Sequence, residues 1–211
     1  SIFLATTWYW SGVAGVSAAA YVVFVVAFSL FALLLRQYIG FGTSGVLVNC
    51  GASLFAIVYL GILSAFCVGI RIHFGTWCLL MFVFVVKCAD IGAYAFGRLF
   101  GKHKFSPRLS PGKTWEGMAG AILAATVVSV IFSGLFDIME TLWSVLFGLC
   151  FAFAGQLGDL AESMIKRDAR QKDSASVVPG FGGVLDVIDS PLAAAPLAYI
   201  YFRLVVASTA V

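Results

Sequence analysis

The sequence predicts an all-α integral membrane fold, a bundle of about six transmembrane helices with a polar site facing the cytoplasm. Three observations predict it. Of the 211 residues, 62% are hydrophobic and only 11% charged, with a mean hydropathy of +1.03. Soluble domains carry roughly 25% charged residues, so here the bilayer must be the solvent for most side chains. Apolar residues fall in six long stretches. Charge is gathered into a few connections instead of being spread over a surface.

A hydrocarbon core of ~30 Å needs about 20 apolar residues per helix. The stretches at roughly 12–35, 46–69, 76–97, 117–136, 141–160 and 189–208 each reach that length. No internal repeat is evident, so residues 1–211 read as a single transmembrane domain. The chain begins with Ser1, which leaves room for a missing N-terminal segment. No basic segment precedes the first apolar run, as a cleavable signal peptide would require. The five cysteines, at 50, 67, 78, 88 and 150, are odd in number and form no C-x-x-C pair. That argues against a disulfide framework or a zinc site.

The connections set the topology. Arg36 to Ser44 is short and holds one charge, Arg71 to Gly75 is shorter, and the turn with Asp137 and Glu140 is acidic only. Residues 98–113 carry Arg98, Lys102, Lys104, Arg108 and Lys113; residues 166–172 carry Lys166, Arg167, Arg170 and Lys172. The positive-inside rule places both basic loops in the cytoplasm, with two crossings between them, and both termini outside. The net charge of +3 is small, and no nucleic-acid partner is expected.

Charges within apolar stretches are expensive, at ~2.5–3.5 kcal/mol each even on insertion scales, and need partners. Lys87 and Asp90 have the i,i+3 spacing of a salt bridge. Asp159, Glu162, Ser163 and Lys166 fall on one helix face. Pro179, Gly180, Gly182 and Gly183 then break any helix and allow a backbone that presents N–H groups to an anion. Asp186 and Asp189 follow, and Ser190-Pro191 reads as the start of the last helix.

Three carboxylates, Asp159, Asp186 and Asp189, would repel one another if they converged, and a hard cation such as Mg²⁺ resolves the conflict. In the first basic loop, Gly112-Lys113-Thr114 is not a phosphate-binding P-loop, because Pro107 stands where that motif needs glycine and no strand precedes it. Two Ser-Pro steps predict a rigid, non-helical loop. Ser110 or Thr114 is placed to cap the next helix, which would aim its positive N-terminus and Lys113 at an anion. His73 and His103 have no visible nucleophile partner, so a Ser-His-Asp hydrolase is a weak reading.

These motifs resemble the phosphatidate cytidylyltransferases, or CDP-diglyceride synthases. The family pattern runs S-x-x-K-R, K-D, P-G-H-G-G and D-R-x-D. It is met by Ser163, Lys166, Arg167, Lys172, Asp173, Pro179, Gly180, Gly182, Gly183, Asp186 and Asp189. The G-D-L-A-E-S run and the earlier D-x-x-A-Y-x-x-G-R and S-P-x-K-T-W-E-G motifs match too, so that the resemblance covers residues 90–190. Phe181 and Val187 depart from the family's His and Arg.

The resemblance implies Mg²⁺-dependent conversion of CTP and phosphatidate to CDP-diacylglycerol and pyrophosphate. Asp159, Asp186 and Asp189 would hold Mg²⁺, with a second cation such as K⁺. Lys166, Arg167, Lys172 and Asp173 would form the catalytic group. Ser110, Lys113, Thr114, Glu116, Ser163, Gly182 and Gly183 would bind substrate. The membrane would be a bacterial inner membrane or its equivalent, its lipids would be partners, and the family suggests a homodimer. A CTP-dependent lipid kinase, a transporter and an inactive relative are the rival readings.

Overall fold

The computed structural model describes residues 18–106, 110–168 and 184–209. The chain divides into two compact units, Ser1–Val68 and Gly69–Val211.

The described part of the first unit is helical apart from the turn at 42–45. Helix α1 spans Ala18–Phe41 and α2 spans Val46–Ile57. A π-helical turn, Val58–Ile62, leads into α3, Leu63–Phe74, within which the unit boundary falls. The sequence expectation of a loop from Arg36 is corrected, because α1 continues to Phe41. Gln37 explains the extension. Its Nε2 donates to the carbonyls of Gly42 at 3.4 Å and Ser44 at 2.7 Å, and its Oε1 accepts from Asn49 Nδ2 at 3.1 Å. Carbonyl groups near the helix end thus find a donor away from water. Gly42, at φ +60°, then reverses the chain.

In the second unit, Gly75 alone, at φ +90°, separates α3 from α4, Thr76–Phe100. A short antiparallel hairpin follows, β1 Lys104–Ser106 and β2 Ser110–Thr114, with Lys104 opposite Thr114. The sequence had predicted a rigid loop here, not strands. Helix α5 spans Trp115–Phe136, α6 Thr141–Asp168 and α7 Val184–Thr209. Thr114 caps α5, its Oγ1 accepting from Gly117 N at 3.1 Å.

Two further boundaries differ from expectation. Helix α6 runs eight residues past its apolar stretch, where Lys166 Nζ stands 2.6 Å from Glu162 Oε2 one turn earlier. Helix α7 starts before Asp186, not at Ser190, and holds Pro191 and Pro196 in its interior. Five helical spans among the described residues are long and apolar enough to cross a membrane: Val23–Phe41, Val46–Phe74, Thr76–Phe100, Trp115–Phe136 and Thr141–Asp168. The sixth expected span, now α7, carries Asp189, Pro191, Pro196 and Arg203 within it. The chain is an integral membrane protein of the all-α class.

The core of the second unit is aromatic and aliphatic. Phe82 of α4, Phe147 and Phe151 of α6 and Phe202 of α7 are fully buried, with ring centroids 5.7 Å apart for Phe82–Phe151 and 5.1 Å for Phe147–Phe202. Helix seams are made by glycine. A Cβ on Gly92 would lie 2.5 Å from Gly120 O, and one on Gly117 would lie 2.8 Å from Ala93 O. Helices α4 and α5 therefore touch backbone to backbone, the close approach that small residues permit in membranes. Gly148 packs in the same way on the Thr126 backbone, and a Cβ on Gly158 would meet Ala193 Cβ at 2.8 Å.

Candidate active site

Close packing of α4 to α7 leaves a cavity of about 360 Å³ in the second unit. Helix α4 contributes Lys87 and Asp90, the hairpin Lys113, α6 Gln156 and Asp159, and α7 Asp189. Phe105, Ser110, Gly112 and Thr114 complete the hairpin's wall.

Acid and base alternate around this cavity. Carboxylate oxygens of Asp159, Glu162 and Asp189 all lie within 4.8 Å of one another. Glu162 is 1% exposed and Asp189 3%. Each of the three has an ammonium neighbour: Lys113 Nζ at 2.6 Å from Asp159, Lys166 Nζ at 2.6 Å from Glu162, and Lys87 Nζ at 3.9 Å from Asp189. Lys87 also pairs with Asp90 at 3.0 Å.

Gln156 ties the two sides together. Its Nε2 donates to Asp90 Oδ1 at 3.2 Å, while its backbone carbonyl accepts from Lys113 Nζ at 3.0 Å. Ser190 Oγ donates to Asp189 Oδ1 at 3.3 Å. In a low-dielectric setting such mutual pairing is what makes these charges tolerable.

The donor set fits a hard cation. Three carboxylates offer only oxygen ligands, and Glu162 Oε1 is buried with no hydrogen-bond partner among the described residues. Mg²⁺ prefers oxygen ligands of this kind and retains room for water and phosphate.

The structure sorts the residues expected from sequence. Asp159 and Asp189 come together. Asp186 lies one turn before Asp189 on α7, and its side chain lies outside the description. Glu162, expected only as part of the stripe on α6, takes the third place in the acidic group. Lys113, Ser110 and Thr114 line the cavity. Ser163 is half-buried on α6, and Arg167 is exposed at the end of that helix. Lys172, Asp173, Gly182 and Gly183 fall outside the described residues.

Glu116 does not line the cavity. It accepts instead from the backbone N–H groups of Lys102 at 3.1 Å and His103 at 3.2 Å. Sequence reasoning missed Gln156 and left Lys87–Asp90 as an isolated pair. Gln156, Asp159, Glu162 and Lys166 follow helical spacing, a signal that could have found the glutamine.

Fold and site together define an integral membrane protein with a charged pocket of about 360 Å³ among the helices of its second unit. The chain belongs to the cytidylyltransferase family, whose model matches residues 1–205. It is 44% identical over 131 residues to a phosphatidate cytidylyltransferase of Haemophilus influenzae, covering 59% of this chain and 46% of that protein. A Mycobacterium bovis phosphatidate cytidylyltransferase is 40% identical over 129 residues, 61% of this chain and 42% of its own. One from Staphylococcus saprophyticus is 40% identical over 145 residues, 68% of this chain and 55% of its own. The chain thus spans about half the length of the curated relatives it matches.

Proposed function

We propose that this protein is a phosphatidate cytidylyltransferase, converting CTP and phosphatidate to CDP-diacylglycerol and pyrophosphate with Mg²⁺. The observation that carries the reading is the acidic trio Asp159, Glu162 and Asp189, each carboxylate beside its own lysine, with Asp159 and Asp189 lining the cavity and Glu162 buried beside them. Phosphoryl chemistry of this kind rests on positioning and electrostatics. A phosphate oxygen of phosphatidate forms a bond to the α-phosphorus of CTP as the bond to the bridging oxygen breaks, and pyrophosphate leaves. Phosphatidate is already anionic near neutral pH, so no general base is required.

Asp159, Glu162 and Asp189 would hold Mg²⁺, with Asp186 from the preceding turn and a second cation such as K⁺. Bound Mg²⁺ supplies positive charge against the phosphate oxygens. Lys113 of the hairpin and Lys87 of α4 attract phosphate into the cavity that both line. Lys166, with Nζ 2.6 Å from Glu162 Oε2, holds that carboxylate in place. Arg167 brings further positive charge to the end of α6. We read the site as opening to the cytoplasm, where CTP arrives from water and phosphatidate from the membrane.

The test is product analysis with α-³²P-CTP and phosphatidate in detergent micelles. The label should enter lipid only with Mg²⁺ present, and EDTA should stop it. Asp189→Asn and Asp159→Asn should each lower the rate by about 100-fold or more, the scale of losing charge stabilisation in the transition state. Labelled CDP with unlabelled lipid would mean a lipid kinase instead, and full activity in both variants would refute the cation site.

A further inference from the structure

Glu116 stands out because its carboxylate is spent on the protein itself. Its Oε2 accepts from Lys102 N at 3.1 Å and His103 N at 3.2 Å, and its Oε1 lies 2.6 Å from His103 Nδ1. The backbone closes the same corner from the other direction, Trp115 N donating to His103 O at 2.9 Å. Thr114, on the other strand, leaves no room at the end of α4: a Cβ on Gly101 would lie 2.9 Å from Thr114 Oγ1. Glu116 therefore joins the first turn of α5 to the residues that lead from α4 into β1. Between these two anchored ends runs the hairpin, and Lys113 stands at its returning end, with Nζ 2.6 Å from Asp159 and 3.0 Å from Gln156 O.

A hairpin of one three-residue and one five-residue strand is marginal alone in water. Something outside its own ladder must fix it. Three hydrogen-bonding groups converging on one carboxylate are strong for their size, because an ionised acceptor roughly doubles the strength of each bond.

We propose that Glu116 is a positioning residue: it clamps the hairpin through His103 and the Lys102–His103 backbone, and so places Lys113 beside the acidic cluster without touching substrate. This rests on the proposed cytidylyltransferase reading for its kinetic consequence, though not for the clamp itself. Loss of the clamp lets Lys113 wander, which weakens nucleotide capture more than it slows chemistry.

The test combines hydrogen exchange with kinetics on the full chain in detergent. Glu116→Ala should speed amide exchange across 102–106 and 110–115 while leaving the cores of α4 and α6 protected. It should raise KM for CTP about tenfold with a smaller change in kcat. Glu116→Gln keeps an acceptor oxygen for the two backbone N–H groups and should recover part of both losses. Combined with Lys113→Met, Glu116→Ala should add little, because the two act through one group.

Unchanged hairpin exchange in Glu116→Ala, or independent multiplication of its kinetic loss with that of Lys113→Met, would overturn the proposal in favour of direct substrate contact. If the unmodified chain turns over no CTP, the proposed activity fails, and the exchange result alone decides the clamp.

Discussion

Lys87 and Asp90 show how much a single pair can be asked to do. Sequence spacing predicts the salt bridge, and it forms at 3.0 Å. What spacing cannot show is that Lys87 also faces Asp189, about a hundred positions later, or that Asp90 accepts from Gln156. Lys87→Met should lower stability by about 1–3 kcal/mol, since it leaves Asp90 and Asp189 without their cation. Thermal unfolding in detergent would measure this, and Lys87→Met/Asp90→Asn should recover part of the loss. A smaller loss in the single variant than in the double would contradict the network. The residues of the site were partly legible for this same reason. Asp159, Asp189 and Lys113 betray themselves as charges in an apolar chain. Gln156 does not, because an uncharged amide inside a helix carries no such signal.

Among elements, the helices were the most legible, because hydropathy over about 20 residues is a strong pattern. Their ends were not. Helix α1 outran its apolar stretch because Gln37 supplies donors for the turn beyond it. Helix α7 begins before both aspartates because Pro191 can be tolerated inside a membrane helix, where neighbours satisfy the backbone it frees. The hairpin was invisible, since three- and five-residue strands leave no periodicity to read. The glycine seams lie at the same scale. Gly92→Ala would push a methyl to 2.5 Å from Gly120 O and should destabilise the bundle by about 1–3 kcal/mol. Gly134→Ala on α5 meets nothing within 4 Å and should be neutral or stabilising by up to about 1 kcal/mol. Paired melting curves of the two variants check both statements, and an equal response would refute the seam as a tight contact.

For the whole molecule, orientation in the bilayer is the property with the widest consequences. Residues 98–113 are basic, and the Asp137–Glu140 turn is acidic. Both lie at ends of α5, the first before it and the second after it. In a background lacking the five native cysteines, Glu140→Cys should react with an impermeant maleimide in right-side-out vesicles, and Lys102→Cys only in inverted ones. The opposite pattern would place the cavity outside, away from the CTP that the proposed reaction needs. The bundle as a class was readable from composition, and the meeting of Asp159 with Asp189 was expected from their motifs, whereas the place of Lys87 and Gln156 beside them was not. It depends on how closely α4 to α7 approach, and that is decided by seams whose glycines look ordinary in sequence.

Backbone contact at Gly92 and Gly117 also removes something. Most helix pairs meet through a cushion of side chains that lateral pressure can compress. Here α4 and α5 have no cushion along that line, and the clamped hairpin bridges their neighbouring ends. The two helices and their bridge therefore answer a change in bilayer thickness by tilting as one girder. The gap between Lys113 and the wall that holds Lys87 is carried along with them. Under the proposed reaction, turnover should then follow the supply of lipid substrate far more closely than the thickness of the membrane that contains it.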